Sequence, residues 1–225
     1  MISAHNITKK FGTVLALTDV SFDIKPGEFV FLTGASGSGK TTLLRVILRE
    51  FRPDKGTLTI DGVDIAKIPN KKLPEYRRSL GMIFQDFKVL TDRNVFENVS
   101  LPLEVKGTNL VDINTSVKKA LELVDLTPQT NLFPAQLSGG ELQRVAIARA
   151  VVANPKLILA DEPTGNLDPK TARGIVKLLQ TLHSDLKTTV IMATHNADIV
   201  NAVNLRVINL DAGKVIKDSL KGKYG

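Results

Sequence analysis

Hydrophobic and polar residues alternate with a period of about two in the first part of the chain, as expected for β-strands. Residues 1 to about 65 contain three candidate strands, "VLALTDVSFDI", "EFVFLTG" and "GTLTIDGVDI". Asp61-Gly62, within the third candidate, is a hairpin turn signal. A helix is predicted between these strands from Lys40 to about Phe51, because Pro53 cannot continue it.

The spacing of apolar residues becomes helical from roughly Phe87 to Asn154. One apolar face in "DINTSVKKALELVDL" is formed by Ile113, Val117, Ala120, Leu121 and Val124. The last region returns to "KLILA" and "TTVIMAT", which are typical of strands buried on both faces of a parallel sheet. A closing hairpin is predicted around Asp211-Ala212-Gly213. The pattern therefore predicts an α/β fold, with a mostly parallel sheet, an N-terminal antiparallel β subdomain and an inserted helical subdomain.

Length and composition favour one large domain. The chain has 225 residues, of which 43% are apolar, and this is enough for a substantial core. We predict a single domain over 1–225, with 1–86 and 155–225 forming the α/β core with its antiparallel β edge and about 87–154 forming the helical subdomain. Cysteine is absent, which excludes disulfides, thiolate metal sites and thiol nucleophiles. No secretory signal and no apolar run of the ~18 residues that cross a bilayer is found, so we expect a soluble protein that meets a membrane through a partner or a surface contact.

The positive net charge leaves open whether the chain has a surface site for a polyanion. The formal net charge is +7, and the densest group of cations lies in "NKKLPEYRRS", with Lys71, Lys72, Arg77 and Arg78. Such a run is either a solvated face or a specific site for a polyanion. Tyr76 is the one aromatic residue among these cations, which is too few for a platform that stacks single-stranded bases.

The segment Gly34–Thr41, "GASGSGKT", fits the phosphate-binding pattern G-x4-G-K-[ST]. A candidate strand precedes it and a candidate helix follows, as this pattern requires. Glycines allow the backbone N–H groups to face phosphates, and Lys40 can place its charge on the β- and γ-phosphates. Thr41 offers a hydroxyl to Mg²⁺, and Thr42 can donate to the α-phosphate. The segment predicts a P-loop NTPase core that binds a nucleotide.

A second element, "KLILADEP", carries two adjacent acids to the end of a buried strand. Asp161 can hold Mg²⁺ through water, and Glu162 can polarise the attacking water as a general base. Adjacent acids at a strand end can also serve only to cap the turn that follows. With the phosphate loop upstream, we favour the catalytic interpretation.

A second glycine loop opens a helix at "LSGGELQRVAIARA", residues 137–150. Ser138 is a good N-cap, and Glu141 completes a capping box. Gly139 and Gly140 leave first-turn N–H groups open to an anion, although a capped helix without a ligand explains the pattern equally well. Since the first loop already encloses the phosphates, the second would meet the outer side of the γ-phosphate from another copy of the chain. Two chains packed head to tail would then enclose two nucleotides.

The order of these motifs resembles that of ABC-type ATPase domains. Phe11, "GASGSGKT", Gln85 in "IFQD", "LSGGE", "LILADE", "GNLD" and His195 in "ATHN" follow one another over most of the chain. The resemblance implies a homodimer that encloses two Mg-ATP, with the signature loop Ser138, Gly139, Gly140 and Glu141 binding the ATP held by the partner subunit. It also implies that Phe11 stacks on adenine, where tyrosine is commoner. Glu141 and Leu142 stand where glutamines are frequent.

The same resemblance assigns the remaining site residues. The implied ATP-binding residues are Phe11, Gly34, Ser36, Gly37, Ser38, Gly39, Lys40, Thr41 and Thr42. The implied catalytic residues are Glu162, His195 and Gln85, with His195 contacting the γ-phosphate and Gln85 linking Mg²⁺ and the attacking water to the helical subdomain. The implied Mg²⁺ ligands are Thr41, Gln85 and Asp161, and Asp168 is implied to lie at the dimer interface.

The sequence determines least well which process is coupled to ATP hydrolysis. Phe87, Val89, Leu90 and Phe96 follow Gln85, and they either pack the core of the helical insert or form a groove for an integral membrane partner. "EPTGNLD" resembles the branch that serves four-span membrane proteins, and further segments resemble the ABC ATPases of bacterial cell division, whose partners activate wall hydrolases. The resemblance thus implies a peripheral protein on the cytoplasmic face of the plasma membrane.

The alternatives are the ATPase of a lipoprotein- or macrolide-type exporter and, from another class, a soluble ABC ATPase acting on nucleic acid. Nucleic acid is not expected, because no sustained heptads occur for the coiled coil usual in that class.

Overall fold

Strands and helices alternate along the chain as in an α/β protein. The structure is a computed structural model and describes residues 1–224. Its strands are β1 (Ile2–Phe11), β2 (Val14–Ile24), β3 (Phe29–Thr33), β4 (Lys55–Ile60), β5 (Val63–Asp64), β6 (Leu80–Ile83), β7 (Leu157–Asp161), β8 (Thr189–Ala193), β9 (Arg206–Asp211) and β10 (Lys214–Ser219). Its helices are α1 (Lys40–Ile47), α2 (Leu73–Arg78), α3 (Val95–Lys106), α4 (Leu110–Leu123), α5 (Gly139–Val151), α6 (Pro169–Leu186) and α7 (Ala197–Val203). Short 3₁₀ turns lie at Ile65–Lys67, Asn70–Lys72, Thr127–Gln129 and Pro134–Gln136.

The chain divides into two units. Unit 1 consists of residues 1–77 together with the described residues from 189 onward, and unit 2 consists of residues 78–188. Unit 1 holds the antiparallel β strands and most of the parallel strands, whereas unit 2 holds helices α3 to α6 with two parallel strands. The predicted α/β class, with a mostly parallel sheet, an antiparallel β subdomain and a helical insertion, is confirmed.

A four-stranded antiparallel sheet in unit 1 has the order β2-β1-β4-β5. The predicted hairpin at Asp61-Gly62 is confirmed, because Ile60 pairs with Val63 across it. Strand β1 was not among the predicted strands. Its register shifts between Ala4 and Ile7, and Asn6 lies there with a positive φ of 51°, so a bulge interrupts the period of two on which the prediction depends.

The other strands of unit 1 surround β3. Strand β3 pairs in parallel with β8 on one side and with β9 on the other, and β10 adds an antiparallel edge beyond β9. All five residues of β3 and all five of β8 are buried, as predicted for strands covered on both faces. The predicted closing hairpin joins β9 to β10 and is also confirmed. Since β3 and β8 run in parallel, the segments that follow them leave the sheet at the same edge.

Helix α1 ends earlier than the predicted Phe51. Arg49 adopts the left-handed conformation at φ 55°, its N–H donates to Val46 O, and the Glu50 N–H donates to Arg45 O at 2.9 Å. This is a Schellman arrangement with arginine at the position that glycine usually takes. The prediction missed this end because Pro53 signals only that the helix cannot pass it, and a left-handed arginine has no sequence signal.

Two residues of "NKKLPEYRRS", Tyr76 and the cation Arg77, contact this helix end. Tyr76 donates to Ile47 O at 2.5 Å, and Arg77 donates to Leu48 O at 3.2 Å and to Arg49 O at 2.9 Å. Arg49 itself is buried and donates to Ile65 O at 2.9 Å. Positive charge at a helix C-terminus is favourable, so part of the cluster has a structural role.

Unit 2 combines the parallel pair β6–β7 with helices α3 to α6. The amphipathic helix predicted from "DINTSVKKALELVDL" is α4, and its five predicted apolar residues are buried, as expected for a face packed into a core. Helix α3 begins with a capping box formed by Asn94 and Glu97. Buried Asn98 then donates to the carbonyls of Leu90, Arg93 and Asn94 at 2.9–3.0 Å and accepts from the Leu90 N–H at 2.7 Å. This amide fixes the chain that enters α3.

The apolar side chains after Gln85 do not form a closed core. Leu90 is exposed, and Phe87, Val89 and Phe96 are half-buried. The buried apolar residues of this region instead lie on α3, at Val95, Val99 and Leu103. The segment after Gln85 therefore presents apolar surface.

Candidate functional site

The phosphate loop of unit 1 runs from Gly34 to Gly39, between the buried strand β3 and helix α1. The Lys40 side chain is buried, and its Nζ donates to the carbonyls of Gly34 at 2.8 Å and Ala35 at 2.9 Å. The loop therefore curls around its own ammonium group, which fixes a positive charge at its centre.

Close packing explains two of the loop glycines. A Cβ at Gly34 would lie 2.1 Å from Leu210 O, and one at Gly39 would lie 2.6 Å from Ala16 O. Gly34, Gly37 and Gly39 also have φ of 139°, 79° and 105°, which L side chains rarely adopt. The tight curl of the loop thus depends on glycine at these positions.

The start of α1 fits an anionic ligand. Helices α3, α4, α5, α6 and α7 each begin at a residue whose side chain accepts a hydrogen bond from the first turn. Helix α1 begins after Gly39 with no side-chain cap, and the Ser38 hydroxyl beside it is buried without a hydrogen-bond partner. An uncapped helix start next to a fixed ammonium suits a phosphate group. The residues present therefore fit the predicted nucleotide phosphates.

Thr41 and Thr42 lie in the first turn of α1, exposed and half-buried respectively. His195 and Phe11 are the predicted site residues of unit 1 outside the loop and this helix. His195 is exposed and comes after the end of β8. Because β8 runs parallel to β3, His195 lies at the same edge of the sheet as the phosphate loop, which comes after β3. The structure thus brings His195 to the sheet edge that carries the loop. Phe11 is 43% exposed at the end of β1 and makes an edge contact with Phe51, with ring centroids 5.0 Å apart. A ring with an exposed area can stack on a base, although its contact with Phe51 also serves the fold.

The two adjacent acids lie in unit 2 at the end of β7, whose residues Leu157–Ala160 are buried. Asp161 and Glu162 are half-buried. Glu162 has a φ of 49°, and its carbonyl accepts a hydrogen bond from the Gly165 N–H at 3.0 Å. A non-glycine residue in this conformation is strained, and such strain is concentrated at functional sites.

Gln85 is held by the "GNLD" segment of the same unit. Its Nε2 donates to Asn166 Oδ1 at 3.2 Å, and Asn166 Nδ2 donates to the Gln85 carbonyl at 3.1 Å. A Cβ at Gly165 would lie 2.8 Å from Gln85 Nε2, so this glycine permits the close approach. The structure brings Gln85 together with Gly165 and Asn166, which were not predicted as site residues.

The predicted capping box of the signature loop is confirmed. Ser138 Oγ accepts from the Glu141 N–H, while the Glu141 carboxylate accepts from the Ser138 N–H at 2.8 Å and from its hydroxyl at 2.6 Å. These hydrogen bonds from Ser138, the hydroxyl first, lower the pKa of Glu141. Gly139 is exposed, and a Cβ at Gly140 would lie 2.7 Å from Thr171 Cγ2 of α6. The helix-capping interpretation therefore holds, and a ligand on this loop stays a prediction.

Asp168 lies at the start of α6. Its carboxylate accepts hydrogen bonds from the N–H groups of Lys170 at 3.0 Å and Thr171 at 3.1 Å. Hydrogen bonds from Thr171, by its side chain and then its backbone, lower the pKa of Asp168. Asp168 is thus the N-cap of α6, and its predicted place at a dimer interface would be additional to this role.

Arg149 was also missed by sequence reasoning. It lies on α5 and donates to the carbonyls of Lys88 at 2.7 Å and Phe87 at 2.8 Å. Phe87 and Lys88 have φ of 59° and 51°, a left-handed conformation that costs roughly 1–2 kcal/mol per residue. Burial lowers the pKa of Arg149. No motif signals this contact, which joins residues about sixty positions apart.

Comparison with known proteins identifies the family. Residues 17–165 match the family described as ABC transporter. This chain belongs to it. The Cell division ATP-binding protein FtsE of Streptococcus pneumoniae serotype 2 (strain D39) is 46% identical over all of this ABC ATPase and 98% of the relative. FtsE of Bacillus subtilis (strain 168) is 46% identical over 100% and 99% of the two chains.

Other relatives of this ABC ATPase carry different names. The Methionine import ATP-binding protein MetN of Clostridium acetobutylicum is 45% identical and is covered over 68% of its length by 97% of this chain. Two solved structures at 36% identity cover all of both chains. They are the dimeric MJ0796, a bacterial ABC transporter cassette, with a TM-score of 0.88, and a dimeric post-hydrolysis state of the same cassette bound to ADP and Pi, with 0.87.

Two negative findings for residues 1–224 concern metal binding and membrane spanning. No group of three or more His, Cys, Asp or Glu side chains there could hold a metal ion. The predicted Mg²⁺ set contains a single carboxylate, Asp161, so the ion would need oxygens from the triphosphate and from water. Within the same residues, no helix combines the length and the apolar character required to cross a membrane.

Replacing Lys40 by alanine in this ABC ATPase is expected to weaken ATP binding about 10-fold or more, because a charge-assisted contact to phosphate is lost. Isothermal titration with ATP measures the effect, and thermal melting checks that the loop still folds. Lys67→Ala is the matched control, since Lys67 is 85% exposed in unit 1 and pairs only at the surface with Asp64 at 3.3 Å. Unchanged ATP affinity in the Lys40 variant would contradict the assignment of the loop.

Proposed function

We propose that this ABC ATPase hydrolyses Mg-ATP in a homodimer and thereby drives an FtsX-like membrane partner that regulates cell-wall hydrolysis in bacterial division. The observation that carries the proposal is the full-length similarity to the cell-division proteins named FtsE. The proposed roles of the site residues rest on the family resemblance and on the contacts that these residues make.

In unit 1, the phosphate loop and Lys40 hold the triphosphate, and Phe11 stacks on adenine. The uncapped start of α1 and the buried ammonium support this assignment. The resemblance implies that Thr41, Asp161 and Gln85 would be the residues that hold Mg²⁺. When bound, the ion supplies positive charge that neutralises the β- and γ-phosphate oxygens.

Hydrolysis requires that one water molecule attack the γ-phosphorus. Glu162 accepts a proton from this water as its oxygen forms the new bond, and the bond to the bridging oxygen of ADP breaks. The products are ADP and inorganic phosphate. His195 contacts the γ-phosphate, and Gln85 orients the water. The strained backbone of Glu162 and the two hydrogen bonds of Gln85 with Asn166 support fixed positions for these side chains.

A second copy of the chain would complete each site. Ser138, Gly139, Gly140 and Glu141 of one subunit then bind the γ-phosphate of ATP held by the other, and Asp168 lies at the interface. The dimeric MJ0796 cassette, described also with ADP and Pi, supports this arrangement. The exposure of Ser138 and Gly139 in the single chain is compatible with it.

The membrane partner would contact the segment after Gln85 and hold the ATPase at the cytoplasmic face of the plasma membrane. Exposed Leu90 and half-buried Phe87, Val89 and Phe96 supply apolar surface for this contact. A second candidate function, favoured by the similarity to MetN, is that of the ATPase of a solute importer. The ATPase of an exporter would use the same ATP-binding and hydrolysis site. Nucleic acid is not part of the proposal.

Purification of the tagged ATPase from native membranes is expected to recover a four-span protein with a large extracytoplasmic domain. Mass spectrometry of the retained proteins identifies it, with a Leu90→Asp variant as the contact-deficient comparison. Loss of the partner with Leu90→Asp, at unchanged thermal stability, would support the proposed contact. Recovery of a solute permease or its binding protein instead would favour the importer and contradict the division role.

A further inference from the structure

Two consecutive left-handed residues follow Gln85, and neither is glycine. Phe87 and Lys88 hold φ of 59° and 51° only two and three positions beyond the predicted catalytic amide. The Lys88 N–H donates to Asp86 O at 2.6 Å across this pair. Since a non-glycine residue leaves this conformation readily unless further contacts fix it, the backbone here also depends on what holds the two carbonyls.

The Arg149 guanidinium holds both carbonyls. One terminal nitrogen donates to Lys88 O at 2.7 Å and the other to Phe87 O at 2.8 Å. A planar fork can serve two neighbouring acceptors in a fixed geometry, which a lysine ammonium cannot reproduce. The Asp86 carboxylate, 2.6 Å from Lys88 Nζ, adds only a surface ion pair because both side chains are more than half exposed.

Arg149 is anchored on a rigid element. It lies near the end of α5, where the flanking residues Ala148 and Ala150 are buried, and this helix starts at the Ser138–Glu141 capping box. A displacement of the signature loop would move the whole helix, because a packed helix shifts as a body. The carbonyls of Phe87 and Lys88 would follow it.

We propose that Arg149 is a positioning residue that couples the signature-loop helix to the backbone after Gln85. The coupling rests on the proposed function, in which the signature loop meets ATP on the partner subunit. When the loop engages ATP, α5 and Arg149 hold the left-handed pair in place, and Gln85 stays aligned with the attacking water. Asn166 holds Gln85 separately, through its two hydrogen bonds with the Gln85 side chain and carbonyl.

Arg149→Lys tests the coupling, since it keeps the charge and removes the fork. We expect kcat for ATP hydrolysis to fall about 10- to 100-fold, as for a misplaced catalytic group, with ATP affinity unchanged. Trypsin cleavage after Lys88, followed by mass spectrometry of the fragments, should become faster, because the local backbone is released. Arg144→Lys is the matched control on the same helix. Arg144 also donates to a backbone carbonyl, Val124 O at 2.7 Å, far along the sequence from Gln85.

Lys88→Asn provides a rescue that a general loss of stability would not show. Asparagine tolerates the left-handed conformation, so we expect it to recover part of the kcat lost in Arg149→Lys, relative to Lys88→Asn alone. Arg149→Gln is the second variant if the lysine variant does not fold, because a neutral amide can still donate to one carbonyl.

The outcomes separate this coupling from the function on which it rests. Hydrolysis and Lys88 cleavage equal to those of Arg144→Lys would overturn it, and so would slow hydrolysis with unchanged cleavage. The tryptic comparison requires no nucleotide and no turnover, so it tests the contact even if the proposed ATPase roles fail. Failure of hydrolysis in the unmodified chain would contradict the proposed function instead.

Discussion

Replacing Glu162 by glutamine is expected to slow ATP hydrolysis by about 10²- to 10⁴-fold, the range attributed to a general base, while the ATP-bound dimer persists. Glutamine has the same shape as glutamate, so the left-handed backbone and the hydrogen bond from the Gly165 N–H to Glu162 O should be kept. Only the ability to accept a proton from water is lost. Because ATP is no longer consumed, the nucleotide that joins the two subunits stays in place.

Light scattering after size-exclusion chromatography measures this result directly. The variant should elute in Mg-ATP with twice the 24.5 kDa mass of one chain and return to one chain in Mg-ADP. Glu122→Gln is the matched control, as it makes the same chemical change at an exposed position of α4 in the same unit and should hydrolyse ATP normally. A monomer at saturating Mg-ATP would count against the dimer, and normal turnover would count against Glu162 as the base.

Features coded by a few adjacent residues could be predicted from the sequence. The phosphate loop, the capping box at Ser138 and both hairpins depend on local geometry, which residue type and spacing report directly. Helix α4 was predictable because its apolar face repeats over several turns. The fold class followed from the order of these elements.

Features that depend on contacts between distant segments could not be predicted. Asn166 pairs with Gln85 across 81 positions. Arg149 holds Phe87 across 62 positions and Lys88 across 61. No spacing rule reports such contacts. Similarly, the cations of "NKKLPEYRRS" suggested a solvated face or a polyanion site. Lys71, Lys72 and Arg78 are exposed, as on a solvated face, but Arg77 and its neighbour Tyr76 donate to the carbonyls that end α1. Their structural role became visible only when the two segments were placed together.

Replacing Ser138 by arginine is expected to abolish hydrolysis and ATP-dependent dimer formation while each chain still binds ATP. Ser138 is exposed at the start of α5, so a larger side chain fits the single chain but occupies the surface that would meet the partner's nucleotide. An added cation is also unfavourable beside the positive end of the helix dipole. The residues that bind ATP in unit 1 are unchanged, so titration with ATP should give a normal affinity.

Loss of the cap must be separated from the added bulk, because Ser138 Oγ accepts a hydrogen bond within α5. Asn109→Ala is the control for this loss: Asn109 caps α4 by accepting from the Asp112 N–H at 3.0 Å, and its removal costs about 1 kcal/mol of stability. We expect this control to melt at a lower temperature and still dimerise and hydrolyse ATP. If Ser138→Arg behaves in the same way, the second glycine loop only caps a helix. If Ser138→Arg stays monomeric with ATP bound while Asn109→Ala dimerises, the loop supplies part of the ATP site of the partner subunit.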